Sequence, residues 1–389
     1  MTRTIQTLNA ISRKGLARLP DTYSVSNDAT APDAILVRSQ AMHDLPIPES
    51  VLAIGRAGAG TNNIPVPAMS QRGVVVFNAP GANANAVKEL VLAGMLIGTR
   101  NLAPALAFVA GLRGDDEALH KQVEAGKKNY VGHELRGSTL GIVGLGAIGS
   151  QLAEAAIALG MHVVGYDPEI TVEAAWRLPS QVRKASSVDD LVKRADFVSL
   201  HIPLLPSTKN LIHAERIALM KKGCVLLNFA REGIVDERAA LAGLNEGRLH
   251  AYVCDFPSHL LAQHPRFVAL PHLGASTEEA EENCAIMVAD QVTDYLEHGN
   301  ILNSVNFPNI AMPRESAFRL AIANANVPNM LGQISTTLAS AGLNIHNMVN
   351  KSRGDLAFTL VDVESAVPPE AIARLAAIEG VLRVRYLPV

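Results

Sequence analysis

The run Leu140-Gly-Ile-Val-Gly-Leu-Gly-Ala-Ile-Gly149 sets the architecture of this chain. An apolar segment ends in a G-x-G-x-x-G loop (Gly144, Gly146, Gly149). A helical pattern follows, and a second apolar segment closes on Asp167. Glycines at this spacing also occur in plain βαβ turns, so context decides: strand, loop, helix, strand, then an acid about twenty positions on. Gly144 permits the tight turn, Gly146 lets backbone approach a pyrophosphate, and Gly149 lets the helix pack closely on the strand. A helix starting near Ala147 turns its unpaired N–H groups toward phosphates. Asp167 is placed to accept hydrogen bonds from ribose hydroxyls and to repel a 2′-phosphate, which favours NAD over NADP. The stretch reads as a dinucleotide site.

At 389 residues the chain is too long for one core, which implies two or three domains. A hydrophobic content of 48% with only 4% aromatics fits an α/β protein and excludes a disordered or fibrous one. The net charge of −3 and the lack of a basic cluster argue against nucleic acid as a partner. Cys224, Cys254 and Cys284 are far apart and include no C-x-x-C pair. That speaks against disulfides and metal and fits a reducing cytoplasm. No apolar run reaches the length of a membrane span. Arg3, Arg13, Lys14 and Arg18 give the N-terminus the charge of a transit peptide. The alternation in Thr4-Ile-Gln-Thr-Leu-Asn9 and the helical pattern after it fit a first strand and helix better.

Three regions separate along the chain. Residues 1–98 alternate strand-like runs (Ala34-Ile-Leu-Val-Arg38, Val51-Leu-Ala-Ile-Gly55, Val74-Val-Val-Phe77) with polar or helical segments, which implies a small parallel sheet. Within it, residues 86–99 form an apolar helix that bridges out. Residues 99–276 hold the glycine loop and further continuous apolar runs, suited to parallel strands covered on both faces. The acidic helix and Asn/Pro-rich tail at 277–312 return to complete the first domain. Residues 317–389 read β-α-β-β-α-β, the ferredoxin-like order. The fold class is therefore α/β: a Rossmann-like cofactor domain, a flavodoxin-like substrate domain, both with doubly wound parallel sheets, and a small ferredoxin-like C-terminal domain, expected to be dispensable for catalysis.

Ligands of an open parallel sheet sit beyond the carboxyl ends of its strands. There the sequence places His201, Arg231, Asp255 and His272. Interconverting a 2-hydroxy acid and a 2-keto acid needs a bidentate cation for the carboxylate and a group that exchanges the hydroxyl proton near neutrality. Arg231 and His272 suit those roles, and hydride transfer to NAD needs no metal. Each residue also has a plainer explanation. Arg231 could pair with Glu232 or Asp236, Asp255 could cap a turn, and His272 could bond a carbonyl. His201 fits packing under an adenine better than reaction.

Gly144-Leu-Gly-Ala-Ile-Gly149, Asn228-Phe-Ala-Arg231 with Gly233 and Asp236, and Pro271-His-Leu-Gly-Ala-Ser-Thr277 resemble the D-isomer-specific 2-hydroxyacid dehydrogenases. Gly58-Ala-Gly-Thr-Asn-Asn63, Asn78-Ala-Pro80 and Ser304-Val-Asn-Phe-Pro308 resemble the branch that oxidises 3-phosphoglycerate to 3-phosphohydroxypyruvate with NAD, the first step of L-serine biosynthesis. The C-terminal region resembles the small-molecule-sensing ACT domain. The resemblance implies Arg231 and His272 as catalytic residues. It implies cofactor contacts at Ala147, Ile148, Asp167, Phe229, Ala230, Asp255, Gly274 and Ala275, and substrate contacts at Arg38, Ser39 and Asn83. Arg56 and Lys121 are candidates for the substrate phosphate on charge alone, and a solvated surface explains each as well.

Two positions depart from the pattern. His259 stands where the family usually has a glutamate to orient the histidine. In the ACT-like region Asn324, Asn326 and Pro328 precede Asn329, where a glycine is common, while Asn344 matches the second half of a serine site. The resemblance further implies a homo-oligomer, dimer or tetramer, with residues 101–120 as a possible arm. Two other readings compete: a dehydrogenase or reductase that interconverts another small 2-hydroxy acid and its keto acid, such as glycerate and hydroxypyruvate, and a non-catalytic, corepressor-like sensor of NAD.

Overall fold

The computed structural model describes residues 2–389, which divide into two compact units. One combines the chain up to Asn83 with Glu278–Val389, and the other is Ala84–Thr277.

The first unit contains a parallel sheet of β1 (Arg3–Leu8), β2 (Tyr23–Ser26), β3 (Ala34–Val37), β4 (Ala53–Arg56) and β5 (Val75–Asn78), in the order β2-β1-β3-β4-β5. That is the flavodoxin-like order expected. The return helix Glu278–His298 buries Ala285, Val288, Ala289, Val292 and Leu296 in the same core as Ile5, Leu36 and Ala53.

The unit also carries an antiparallel sheet: β13 (Phe318–Ala325), β14 (Ile345–Arg353), β15 (Leu356–Val363) and β16 (Val381–Pro388), ordered β14-β15-β13-β16. Strand alternation gives this sheet two different faces. Leu320, Ile322, Val361 and Val363 meet the helices Met330–Ser340 and Pro369–Ala376 through Ile334, Leu338 and Leu375. Ala321, Ala323, Phe358, Leu360 and Leu387 point the other way, into the core of the first unit. Phe358 sits 5.9 Å from Phe307 and 6.2 Å from Tyr295, ring centre to ring centre. The C-terminal region is thus no separate body, and deleting residues 317–389 would strip one wall from the core around the five-stranded sheet. The expectation of a dispensable domain is corrected on that ground.

Polar groups reinforce the join. Arg319 and Asp362, both fully buried, pair through two bonds of 2.7 and 2.8 Å. Arg319 also donates to the carbonyls of His298 (3.1 Å), Met312 (2.9 Å) and Pro313 (2.9 Å). Arg385 donates to the carbonyls of Tyr295 (3.0 Å) and Leu296 (2.9 Å), and Arg314 to that of Glu297 (3.2 Å). The last four carbonyls of the return helix, which an isolated helix leaves without partners, are therefore capped by arginines from beyond it.

The second unit holds β6 (Thr139–Val143), β7 (His162–Tyr166), β8 (Arg183–Lys184), β9 (Phe197–Leu200), β10 (Cys224–Asn228), β11 (Leu249–Cys254) and β12 (Phe267–Ala269). All are parallel, in the order β12-β11-β10-β9-β6-β7-β8, the Rossmann arrangement extended by one strand. β9 and β10 are buried along their whole length, as their unbroken apolar runs require. The helix read as a bridge out of the first domain, Ala84–Thr99, packs here instead. Its Val87, Val91 and Met95 join Leu140, Leu227 and Val253 in one cluster, and Gly94 and Gly98 let it lie close to Phe229 and Val225. The boundary falls after Asn83, not after residue 98. Among the described residues no single helix is long and apolar enough to cross a membrane.

Candidate active site

The glycine loop follows β6. Gly144 has φ +93°, and a Cβ there would stand 2.3 Å from the His201 carbonyl oxygen. A Cβ on Gly149 would meet the Gly144 carbonyl oxygen at 2.0 Å. The loop therefore tolerates only glycine at these two positions. Gly146 has open space where its side chain would be, and the helix Ala147–Ala158 starts directly after it. Gly146 and Ala147 are exposed and Ile148 is half-buried. An uncovered loop feeding a helix N-terminus is what an approaching pyrophosphate requires.

Asp167 follows β7. One carboxylate oxygen accepts from Leu145 N at 2.8 Å and the other from Glu169 N at 3.0 Å. It lines a cavity of about 530 Å³ with Leu145, Ile170, Leu178 and Val182. An apolar slot with one carboxylate at its edge suits an adenosine, so these residues fit the dinucleotide the family binds. Asp167→Ala is expected to narrow the NAD-over-NADP preference at least about tenfold, or 1.4 kcal/mol. The carboxylate also steadies the loop, but loosening the loop affects both cofactors alike and cancels in the ratio of their kcat/KM values. An unmoved ratio would place the ribose partner elsewhere.

Arg231, Asp255 and His272 follow β10, β11 and β12, three neighbouring strands, at one end of the sheet. Asn228, buried at the end of β10, shapes the first turn. Its Oδ1 accepts from Ala230 N (3.2 Å) and its Nδ2 donates to Arg231 O (2.9 Å), while Arg231 Nη1 donates to Ala230 O (2.7 Å). Asp255 is 1% exposed and spends both oxygens on the neighbouring loop, accepting from Leu273 N and Gly274 N at 2.7 Å each. His272, directly before Leu273, adopts φ +55°, a left-handed conformation uncommon for a residue with a side chain. Its N–H donates to Leu270 O (3.0 Å) and Asp255 O (3.2 Å). The imidazole is exposed, with the Phe256 ring 5.3 Å away, edge to face.

Asp255 thus ties the loop that carries His272 to the end of β11. The Phe229 ring is buried under the Ala84–Thr99 helix, while Ala230 and Ala275 are partly accessible. Asn228 went unnoticed as a brace. Its signal was an asparagine closing an otherwise apolar buried strand.

His259 is exposed, and within this unit no carboxylate bonds the His272 ring. His201 bonds Ser199 Oγ at 2.8 Å, and burial pushes its pKa down to about 4, which keeps the ring uncharged near neutral pH. Burial also raises the thiols of Cys254 to about 11 and Cys224 to about 12, which keeps both unreactive. Lys121 pairs with Glu117 one turn away on an exposed helix, as an ordinary surface cation does.

In the first unit, Arg38, Ser39 and Asn83 follow the carboxyl ends of β3 and β5. Ser39 N donates to Asn9 Oδ1 at 3.2 Å, and Arg38 pairs with Glu281 of the return helix at 2.6 Å. Asn83 is half-buried. The three asparagines suggested as an effector site do not meet. Asn324 is buried at one end of the antiparallel sheet, Asn326 donates to Gly354 O beside it, and Asn344 precedes β14 at the other end. The strands between separate them by about 20 Å. Asn329 adopts φ +63°, which explains a residue tolerant of left-handed backbone where a glycine is common.

The family described as D-isomer specific 2-hydroxyacid dehydrogenase, NAD binding domain, matches residues 102–274. The chain belongs to the D-isomer-specific 2-hydroxyacid dehydrogenases, a family of NAD-dependent enzymes. Within it, the chain is 36% identical over 351 residues to the D-3-phosphoglycerate dehydrogenase of Haemophilus influenzae, covering 87% of this chain and 81% of that protein. It is 38% identical to that of Methanocaldococcus jannaschii, over 76% of this chain and 55% of the relative. The NAD+-bound 3-phosphoglycerate dehydrogenase of Entamoeba histolytica has a similar structure. The TM-score is 0.60 at 27% identity, covering 79% of this chain and 99% of that one.

Proposed function

We propose that this enzyme oxidises 3-phosphoglycerate to 3-phosphohydroxypyruvate with NAD, the first step of L-serine biosynthesis. The observation that carries the chemistry is the array at one sheet edge: a glycine-restricted loop after β6, Arg231 after β10, and His272 held in a left-handed turn after β12. The names of the curated relatives support the substrate. When bound, NAD supplies a two-electron hydride acceptor. Arg231 holds the carboxylate with a two-pronged guanidinium. His272, as the base, takes the hydroxyl proton as the C2 hydride departs and the alcohol becomes a ketone. NADH formation followed by absorbance, with 3-phosphoglycerate, glycerate and lactate compared, tests this. Faster turnover of glycerate would favour the other hydroxy-acid reading, and no turnover of any of the three would favour the sensor.

The finer features follow the same reading: cytoplasmic residence, to which three buried free thiols are suited, a homo-oligomer, and L-serine as effector at an ACT-type sheet. The helix Leu102–Gly111 buries no residue although it is strongly apolar, and Leu106, Val109 and Val131 are 71%, 58% and 73% exposed. A second copy covering them accounts for that face, and Leu106→Glu should give monomers by light scattering. Because Asn344 lies far from Asn324 and Asn326 in one chain, serine would bind where two copies bring opposite sheet ends together. Asn344→Ala, rather than removal of residues 317–389, is the informative variant: serine binding by calorimetry should vanish while turnover persists.

A further inference from the structure

We propose that a cleft beside β5 is a second small-molecule site, built for an oxyanion bearing phosphate or carboxylate groups. It measures about 700 Å³ and is framed by Asn78, Asn303 and Asn309 on one side and by Lys351, Ser352 and Arg353 of β14 on the other. Such a volume is in the range that holds a metabolite.

Charge gives the ligand class. Two cations line the cleft and no aspartate or glutamate does. Lys351 and Arg353 stand two residues apart on one strand and so share a face. Arg353 is fastened by Nη1 to Ser304 O at 2.8 Å, which fixes the guanidinium while leaving its other N–H groups to a ligand. Among the described residues the Lys351 ammonium has no ion pair and no hydrogen bond. An ammonium and an anchored guanidinium flanked by amides match the needs of a phosphate or a dicarboxylate.

The opposite wall is rigid. Asn303 is held at φ +57° with its N–H on Asn309 Oδ1 at 2.9 Å. Asn306, buried behind it, accepts from Val76 N and donates to Val74 O, at 2.9 Å each. A ligand here would join the β14–β15 hairpin to the segment leaving β5. The lining of the cleft includes neither the glycine loop nor Arg231 and His272, so the inference does not rest on the proposed reaction.

Calorimetry on the full-length, NAD-saturated protein, titrated separately with inorganic phosphate and with malonate, tests it. At least one anion should give a saturable event that weakens tenfold or more in Lys351→Glu and in Arg353→Gln. Binding of phosphate alone would identify a phosphorylated ligand, and binding of malonate alone a dicarboxylate. Should Lys351→Glu melt early, Lys351→Met removes the charge without reversing it and should weaken binding to a similar degree. The proposal is overturned if neither anion binds saturably, or if the events survive unchanged in the Lys351 variants, since those would belong to the substrate and cofactor sites.

Discussion

Asp362→Ala should lower the stability of the first unit by about 3–5 kcal/mol, because it leaves the Arg319 guanidinium fully buried without its counter-charge. Three backbone carbonyls remain on Arg319, yet they satisfy N–H groups and do not neutralise the ion. Asp362→Asn keeps one acceptor and the side-chain volume and should fall between wild type and Ala. Replacing both partners with apolar residues, Arg319→Met with Asp362→Leu, removes the buried charge altogether. It still exposes the carbonyls of His298, Met312 and Pro313, so a loss of about 1–3 kcal/mol should persist. Denaturant midpoints of the three variants give the ordering. A loss for Asp362→Ala no larger than for the double replacement would show that the ion pair is not what fastens the antiparallel sheet.

Arg231→Lys should reduce kcat/KM by about a hundredfold, a loss of 2.7 kcal/mol in transition-state binding. Lysine keeps the charge but has no planar pair of donors to match a carboxylate. The turn that presents the side chain is set by Asn228 and survives the substitution, so the effect isolates the guanidinium. NAD affinity, read by fluorescence titration, should be nearly unchanged, since β9 lies between β10 and the β6 strand that leads into the glycine loop. Near-native turnover in this variant would remove Arg231 from the active site.

Local patterns carried much of this fold into view. The unbroken apolar runs at β9 and β10, the glycine spacing after β6, and the alternation through β13–β16 each reflect burial that neighbours in sequence impose. That Arg231 and His272 lie at one end of the sheet was legible because the position past a parallel strand follows from the strand itself, whatever the loop lengths. Features that depend on which surface meets which were not. Val87, Val91 and Met95 announce a buried helical stripe without saying which sheet it covers. Ala321 and Ala323 look like ordinary strand residues, although their smallness lets a second core press against them. Arg319 reads as an exposed charge until its partner, 43 positions away, is brought alongside. The bonds that Asp255 accepts were hidden for the same reason, since they come from a loop 18 and 19 residues further on.

The arginines over the end of the return helix also bear on how such enzymes can be recombined. Arg314, Arg319 and Arg385 come from the linker, the first strand and the last strand of the C-terminal segment, and together they serve the carbonyls of Tyr295, Leu296, Glu297 and His298. A cut at the linker therefore does not follow a natural seam. A chimera that borrows a C-terminal module from a relative inherits a frayed helix end unless guanidinium groups come with it at these three places. Small apolar residues must also replace Ala321 and Ala323. Compatibility between modules should accordingly track a handful of interface side chains more closely than it tracks overall identity.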